Sequence, residues 1–171
     1  MHQPPTRRKM TLTAKRFILP LVLVWAVASA PAEAQNFAQY CNQRYDFCVE
    51  YPATLTAEES PANDDGGEFS DSHGFSMTVS GINNVLEATL QSEMKSQAQE
   101  IAKITYQAKG KNWFVLSGHK GSDVVYMKIY IGKESINHLF IKYPAKKSAE
   151  YAEAVSKISR SFKPGDLEAP H

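Results

Sequence analysis

The sequence predicts an α+β chain, a three-layer α/β/α sandwich around one mainly antiparallel sheet of about seven strands, in the order βββ-α-ββββ-α. Three observations lead there. Residues 113–143, WFVLSGHKGSDVVYMKIYIGKESINHLFIKY, divide into strand-like runs at 113–119, 124–131 and 135–143, separated by Gly-containing turns. The middle run alternates Val125, Met127, Ile129 and Ile131 with Val124, Tyr126, Lys128 and Tyr130. Neither side is cleanly polar, as expected of a strand covered on both faces. Two further segments carry apolar residues at helical spacing, one before this meander and one after it.

The chain opens with a segment that reads as an address. Arg7, Arg8, Lys9, Lys15 and Arg16 precede an apolar run at 17–30, followed by Ala28-Ser29-Ala30 and Ala32-Glu33-Ala34. Both have the small-x-small form that a signal peptidase reads, and cleavage after Ala34 avoids leaving Pro31 at the next position. Residues 1–34 are therefore expected to be a cleavable signal peptide, with 35–163 a single domain and 164–171 a flexible tail. The apolar run is shorter than the roughly 20 residues of a membrane span, so no stable span is expected after cleavage; an uncleaved anchor is the alternative reading. Thr6-Arg7-Arg8 hints at twin-arginine export; a start at Met10 leaves an ordinary secretory peptide. Either way the product is expected to be periplasmic or secreted.

Cleavage also changes the charge. Of 19 basic and 18 acidic residues the leader holds five and one, which leaves 14 against 17 and a net charge of −3. Such a balance gives no footprint for nucleic acid.

Cys41 and Cys48 are the only cysteines. A pair this close in an exported chain is expected to form a disulfide that ties residues 35–42 to the first strand. The spacing is not C-x-x-C, which argues against a redox role. The first strand is expected at 45–51, with Tyr45, Phe47, Val49 and Tyr51 inward, and Pro52 ends it. PATLTAEESPANDDGGE reads as an exposed loop. Residues 68–71 and 75–80 read as a hairpin with Phe75, Met77 and Val79 on one side. A helix is expected over 84–103, with Leu86, Leu90, Met94, Ala98 and Ile101 as its stripe and Asn84 with Glu87 as a capping pair. A strand at 104–109 leads into the meander. Ser148 is expected to cap a second helix running to about Phe162, with Tyr151, Val155, Ile158 and Phe162 buried. Glu150 and Glu153 near its start, with Lys157, Arg160 and Lys163 near its end, suit its dipole. Pro164-Gly165 stops it. No long repeat or low-complexity tract interrupts this succession.

The succession resembles the PsbP-like fold, shared by the Ran-binding Mog-type proteins and by small exported bacterial proteins. The carrying features are Tyr51-Pro52-Ala53, Tyr143-Pro144-Ala145, the helix opened by Asn83-Asn84-Val85-Leu86, the strand Trp113-Phe114-Val115-Leu116-Ser117-Gly118, and a closing helix ending Ser161-Phe162. The likeness covers roughly residues 45–162 by element order and spacing, and none of these features is a site motif. It implies an accessory, binding or assembly protein without catalysis, and it transfers no functional residue.

Two constellations point to chemistry instead. Ser117 and His119 share a strand face, with Asp123 in the adjoining turn, the residue types of a nucleophile–base–acid relay. There is no G-x-S-x-G elbow at Ser117, and Asp123 is ordinary turn chemistry. Asp64, Asp65, Glu68, Asp71 and His73 crowd one loop and hairpin; Ca²⁺, which takes about six to eight oxygens, is the cofactor they would suit. Their spacing departs from the D-x-[DN]-x-[DN]-G loop. Asp64, Asp65, Asp71 and His73 are the metal candidates, and an acidic solvated loop is the plainer reading. His138 reads as a sheet-face histidine, and Lys142, Lys146 and Lys147 as a solvated basic corner.

The expected function is thus an exported, non-catalytic accessory or binding protein of the cell envelope, whose partner is a protein or envelope component. The alternative is a small exported hydrolase or metal-binding protein that uses the Ser117/His119 face or the acidic loop 64–73. A structural envelope protein or holdase is a third class. The deciding observation is whether the fold shows one concave site with converging polar groups, or only a closed sandwich with an aromatic surface patch.

Overall fold

The computed structural model describes residues 36–59 and 61–171; the expected signal peptide lies outside them. Among the described residues the chain runs β1 (Phe37–Cys41), β2 (Cys48–Pro52), β3 (Thr56–Ala57), β4 (Gly66–Ser70), β5 (Ser76–Asn83), α1 (Leu90–Ala98), β6 (Lys103–Lys109), β7 (Trp113–Lys120), β8 (Asp123–Ile131) and β9 (Ser135–Pro144). A 3-10 turn (Ala145–Lys147) then leads into α2 (Ser148–Ser161). Seven strands form one sheet in the order β3-β4-β5-β9-β8-β7-β6, while β1 and β2 form a separate two-stranded ribbon. Every pairing is antiparallel.

The alternation of β8 and β9 divides the core in two. Val124, Leu139, Ile141 and Tyr143 face α2 and meet Met77 and Val79 from β5, Tyr151, Val155 and Ile158 from α2, and Phe162 just beyond it. Phe47 and Val49 of the ribbon segment complete this cluster. On the opposite face Phe114, Leu116, Val125, Met127, Ile129, Ile131 and Ile136 pack with Ile101 and with the half-buried Leu90, Met94 and Ala98. The α+β class and the helix on each side of the sheet are as the sequence predicts. Each buried Phe, Leu or Ile stabilises the fold by about 1.5–3 kcal/mol relative to an exposed one.

Other expectations need correction. Five strands precede α1, not three. Residues 37–41, expected to be a mobile tether, form β1, and Cys41 stands opposite Cys48 in the ribbon register. Cys41 and Cys48 are joined by a disulfide with their Cα atoms 4.2 Å apart. The ribbon is not part of the main sheet, whose edge strands are β3 and β6. Helix α1 starts at Leu90, capped reciprocally by Thr89 and Ser92, and not by Asn84 and Glu87. Asn84 is buried, and its amide donates to the carbonyls of Ala88 (3.1 Å) and Gly132 (2.9 Å). Glu87 has φ 51°, a left-handed conformation that no helical residue adopts. Ser148 does not cap α2, because its hydroxyl donates back to the Ala145 carbonyl at 2.7 Å.

The C-terminal segment, expected to be flexible, is docked. Leu167 is buried, and its carbonyl accepts from Glu134 N (3.0 Å) and Ser135 N (3.3 Å). Gly165 N donates to the Asn137 side chain at 3.0 Å. The approach requires a glycine opposite, since a Cβ on Gly132 would lie 2.3 Å from that of Leu167. The domain therefore extends past residue 163. A single leucine in a polar hexapeptide is too little pattern to announce this.

Two outcomes test these contacts. Replacing Cys41 and Cys48 together by serine should lower the unfolding free energy by about 2–3 kcal/mol, read as a drop in denaturant midpoint that reduction of the wild type reproduces. Leu167→Ala should cost about 2–3 kcal/mol and speed amide exchange at Glu134 and Ser135; unchanged protection there would mean that the tail does not hold the turn.

Candidate functional site

The structure does not assemble a Ser–His–Asp relay. Ser117 and His119 do share a face of β7, but the Ser117 hydroxyl donates to the Val125 carbonyl at 2.9 Å. His119 lies opposite Val124 on one side and Lys103 on the other, and Asp123 opposite Lys120 and Pro144. A serine whose proton is held by a main-chain carbonyl has no base to activate it.

The acidic region is dispersed in the same way. Asp65 accepts from the Asn63 amide at 2.7 Å, while Asp64 receives the Asn42 amide on its carbonyl at 2.9 Å. Asp71 closes the β4–β5 turn: one oxygen accepts from His73 N (2.7 Å) and Phe75 N (2.9 Å). The other oxygen accepts from the Tyr151 hydroxyl at 2.8 Å. Among the described residues no three His, Cys, Asp or Glu side chains converge as metal ligands. His73 is exposed in the turn, and its role there is structural through its N–H. Burial acts to raise the Asp71 pKa, but the Phe75, Tyr151 and His73 hydrogen bonds outweigh it and hold the carboxyl below its usual range. Burial first, and then Asp71 itself, push the Tyr151 phenol far up. His138 faces Glu93 of α1 at 3.8 Å; its hydrogen bond is the largest influence lowering the Glu93 pKa.

The concave feature with converging polar groups lies elsewhere, beside α2. That helix packs on β9 and on β2, so it shields one side of its sheet face and leaves the β6–β7 side open. A groove of about 340 Å³ runs between Ala152, Val155, Ser156, Ser159 and Arg160 of the helix and Tyr106, Tyr126 and Tyr143 of the sheet. Register brings these together: Tyr106 stands opposite Ser117, and Ser117 opposite Tyr126. Tyr106 is 56% exposed.

Alternate residues of β8 tie the floor to the helix. The Tyr126 hydroxyl bonds the Ser159 hydroxyl, Lys128 Nζ donates to the Ser159 carbonyl at 2.7 Å, and Tyr130 reaches the Phe162 carbonyl at 3.5 Å. The lysine thereby satisfies an otherwise orphaned carbonyl near the helix C-terminus. Burial, and secondarily Lys163, lower the Lys128 pKa, while burial raises those of Tyr126, Tyr130 and Tyr143. Among the described residues Lys128, Arg160 and Lys163 are in no ion pair. The site is an aromatic groove with Arg160 on its border and without a poised nucleophile. The sequence alone did not single out Tyr106, Tyr126, Lys128 or Arg160 as functional. The available signal is an aromatic residue on β6, a strand whose residues are almost all exposed.

The strand order with both helices in place matches solved structures. The solution structure of cyanobacterial PsbP (CyanoP) from Synechocystis sp. PCC 6803 superposes with a TM-score of 0.55 at 9% identity, over 80% of this chain and 97% of that one. The Saccharomyces cerevisiae Ran-binding protein Mog1p gives 0.51 at 11% identity, over 79% and 97%. The chain has the PsbP/Mog1-like fold. No protein-family model matches it, and no curated protein matches it in sequence. At 9–11% identity the likeness is one of architecture.

The Asp71 turn generates a test in acid. Because the folded pKa is depressed, its contribution is fully present above the unfolded value, about 3.9, and is lost as pH falls through the folded one. Asp71→Asn should therefore flatten the stability–pH profile below about pH 4. It should cost about 1–3 kcal/mol at neutral pH, where the charged acceptor is lost. Chemical denaturation across pH 2–7 reads both effects; parallel profiles for wild type and variant would refute the assignment.

Proposed function

We propose that this is an exported, non-catalytic accessory module of the cell envelope that binds a partner protein through the groove beside α2. The observation that carries the reading is the open, aromatic half of the α2 face. Tyr106 and the groove it helps to line stay accessible, and Tyr106 is the one aromatic side chain among the large exposed hydrophobic residues described. Tyr and Arg are the side chains that most often dominate protein interfaces, because they offer large contact area and directed hydrogen bonds together. Arg160 on the border favours a partner segment that carries an acidic group.

Other observations support the same reading. Ser117 donates to main chain, and Asp123 is not brought to His119, so the hydrolase alternative gains no geometry. The mature chain is mildly acidic, which disfavours nucleic acid as the ligand. Among the described residues no helix is long and apolar enough to cross a membrane. The Cys41–Cys48 disulfide suits an oxidising compartment and agrees with the basic-then-apolar leader. A protein of the same fold, Mog1p, is described as Ran-binding, which supports a protein ligand as the kind of partner.

The test is quantitative capture from envelope extract with the mature protein as bait. The wild type should enrich one partner, identified by mass spectrometry. Tyr106→Ala with Arg160→Glu should reduce its recovery about tenfold or more, since interface hot spots are each worth about 2 kcal/mol. Melting temperature should change little, because both side chains are exposed, and Glu153→Ala, at a position that does not line the groove, should behave as wild type. Equal recovery by all three proteins would remove the groove from the interface.

A further inference from the structure

The most exposed aliphatic side chains lie at the end of the sheet that carries the β8–β9 turn. Residues 82–88, between β5 and α1, present Val85 at 80% and Leu86 at 89% exposure, beside Ile82 at 45%. This is not a loose loop. Asn84 N donates to the Glu134 carbonyl at 2.8 Å, and Glu87 N donates back to the Asn84 carbonyl at 3.0 Å. The Asn84 side chain binds Ala88 through both its amide and its oxygen, the latter accepting from Ala88 N at 2.7 Å. A buried asparagine thus holds the loop tip in one shape while two aliphatic side chains point to solvent. Pre-organised apolar groups of this kind lose little freedom on docking.

One helical turn further on, the surface becomes concave. Leu90, Met94 and Ala98 pack only partly on the sheet and line a groove of about 630 Å³ with Gln91, Lys95 and Lys109. The groove arises because α1 lies against β7 and stops short of the edge strand β6. Charge differs between the two parts. The loop tip is bordered by Glu87, Glu134 and Glu168 around the single Lys133, which bonds Glu134 at 2.7 Å. The groove is bordered by Lys95 and Lys109, and no acidic residue lines it. Among the described residues neither lysine is in an ion pair.

An acidic-rimmed apolar knob and a basic-rimmed apolar groove, contiguous on one molecule, form a self-complementary patch. We propose that a second copy of this chain docks here. Val85 and Leu86 of each copy enter the α1/β6 groove of the other, and Glu87 faces Lys95 and Lys109 across a two-fold axis. A two-fold arrangement closes on itself, so it yields a dimer and not a filament. The acidic rim argues against an anionic lipid surface as the occupant, since like charges repel. A weak, reversible association with affinity on the order of micromolar is expected.

Sedimentation equilibrium of the exported, leader-free protein from about 1 to 200 µM, a range set by that affinity, tests the proposal. The wild type should show a monomer–dimer equilibrium that weakens in high salt. Leu86→Ser should raise the dissociation constant tenfold or more with an unchanged melting curve, because the side chain touches no core. The discriminating step is a charge exchange. Lys95→Glu with Lys109→Glu should abolish the dimer, as should Glu87→Lys, and mixing the two variants should restore it as a heterodimer. A monomer at every concentration, a dimer indifferent to these substitutions, or mixtures that stay monomeric each overturn the proposal. So does Leu86-dependent co-sedimentation of the monomer with phosphatidylglycerol vesicles, or a photo-crosslinker at residue 86 that labels other proteins and never a second copy.

Discussion

The fold depends on one placement, that of β9 between β5 and β8. Residues 135–144 pair with β5 on one side from Ser76 to Asn83 and with β8 on the other from Asp123 to Ile131. Without β9 the chain would hold two unconnected pieces, a β3–β4–β5 unit and a β6–β7–β8 meander. The pairing with β5 spans more than fifty residues of sequence, so it incurs the loop-closure cost that slows folding of sheet proteins. The β8–β9 pairing is by contrast local, closed by the short turn between Ile131 and Ser135. Being central, β9 is the strand both helix layers must cover. Leu139, Ile141 and Tyr143 serve the α2 side, and Ile136 with Phe140 the α1 side.

Given a seven-stranded sheet, the helices are too few to cover it. A helix is about 10 Å across and neighbouring strands lie about 4.8 Å apart, so one helix shields only a few strands. On the α2 face the ribbon makes up part of the deficit: Phe47 and Val49 extend the cover on the side away from β6. Among the described residues no comparable segment lies over β6 and β7, and the aromatic groove remains open there. On the other face α1 is the helix present among the described residues, and it is nine residues long. None of its side chains is fully buried. Both candidate surfaces therefore follow from the mismatch between sheet width and helix cover.

How far this was legible in the sequence follows from how local each determinant is. The strands at 113–119, 124–131 and 135–143 were placed within one residue of their observed ends, because strong alternation and Gly-containing turns fix them locally. The stripe Tyr151, Val155, Ile158 and Phe162 was equally plain. The start of α1 misled, because Asn84 and Glu87 have capping-box spacing, whereas Asn84 is pulled under the β8–β9 turn by contacts with Gly132 and Glu134. β1, FAQYC, has little apolar alternation and owes its strand to β2 and the disulfide. At the site, the common face of Ser117 and His119 could be read from strand period. The Ser117–Val125 bond and the Tyr106–Ser117–Tyr126 row depend on cross-strand register. The position of α2 over that row is set only by the assembled core.

Strand β6 then connects the two open surfaces. Tyr106 turns to the groove beside α2 and Lys109 to the groove beside α1, since alternate parity places them on opposite faces. A strand exposed on both faces and unpaired along one edge invites uncontrolled sheet extension. Here the edge carries Lys103 and Lys109 at its ends and a register shift between Ile104 and Tyr106 that breaks the regular ladder. Charge and bulge are the two devices that blunt such edges. The backbone edge is thereby closed to pairing while the side chains on either face stay available. Recognition can then proceed through side chains on both sides of β6 without the sheet itself becoming a template for aggregation.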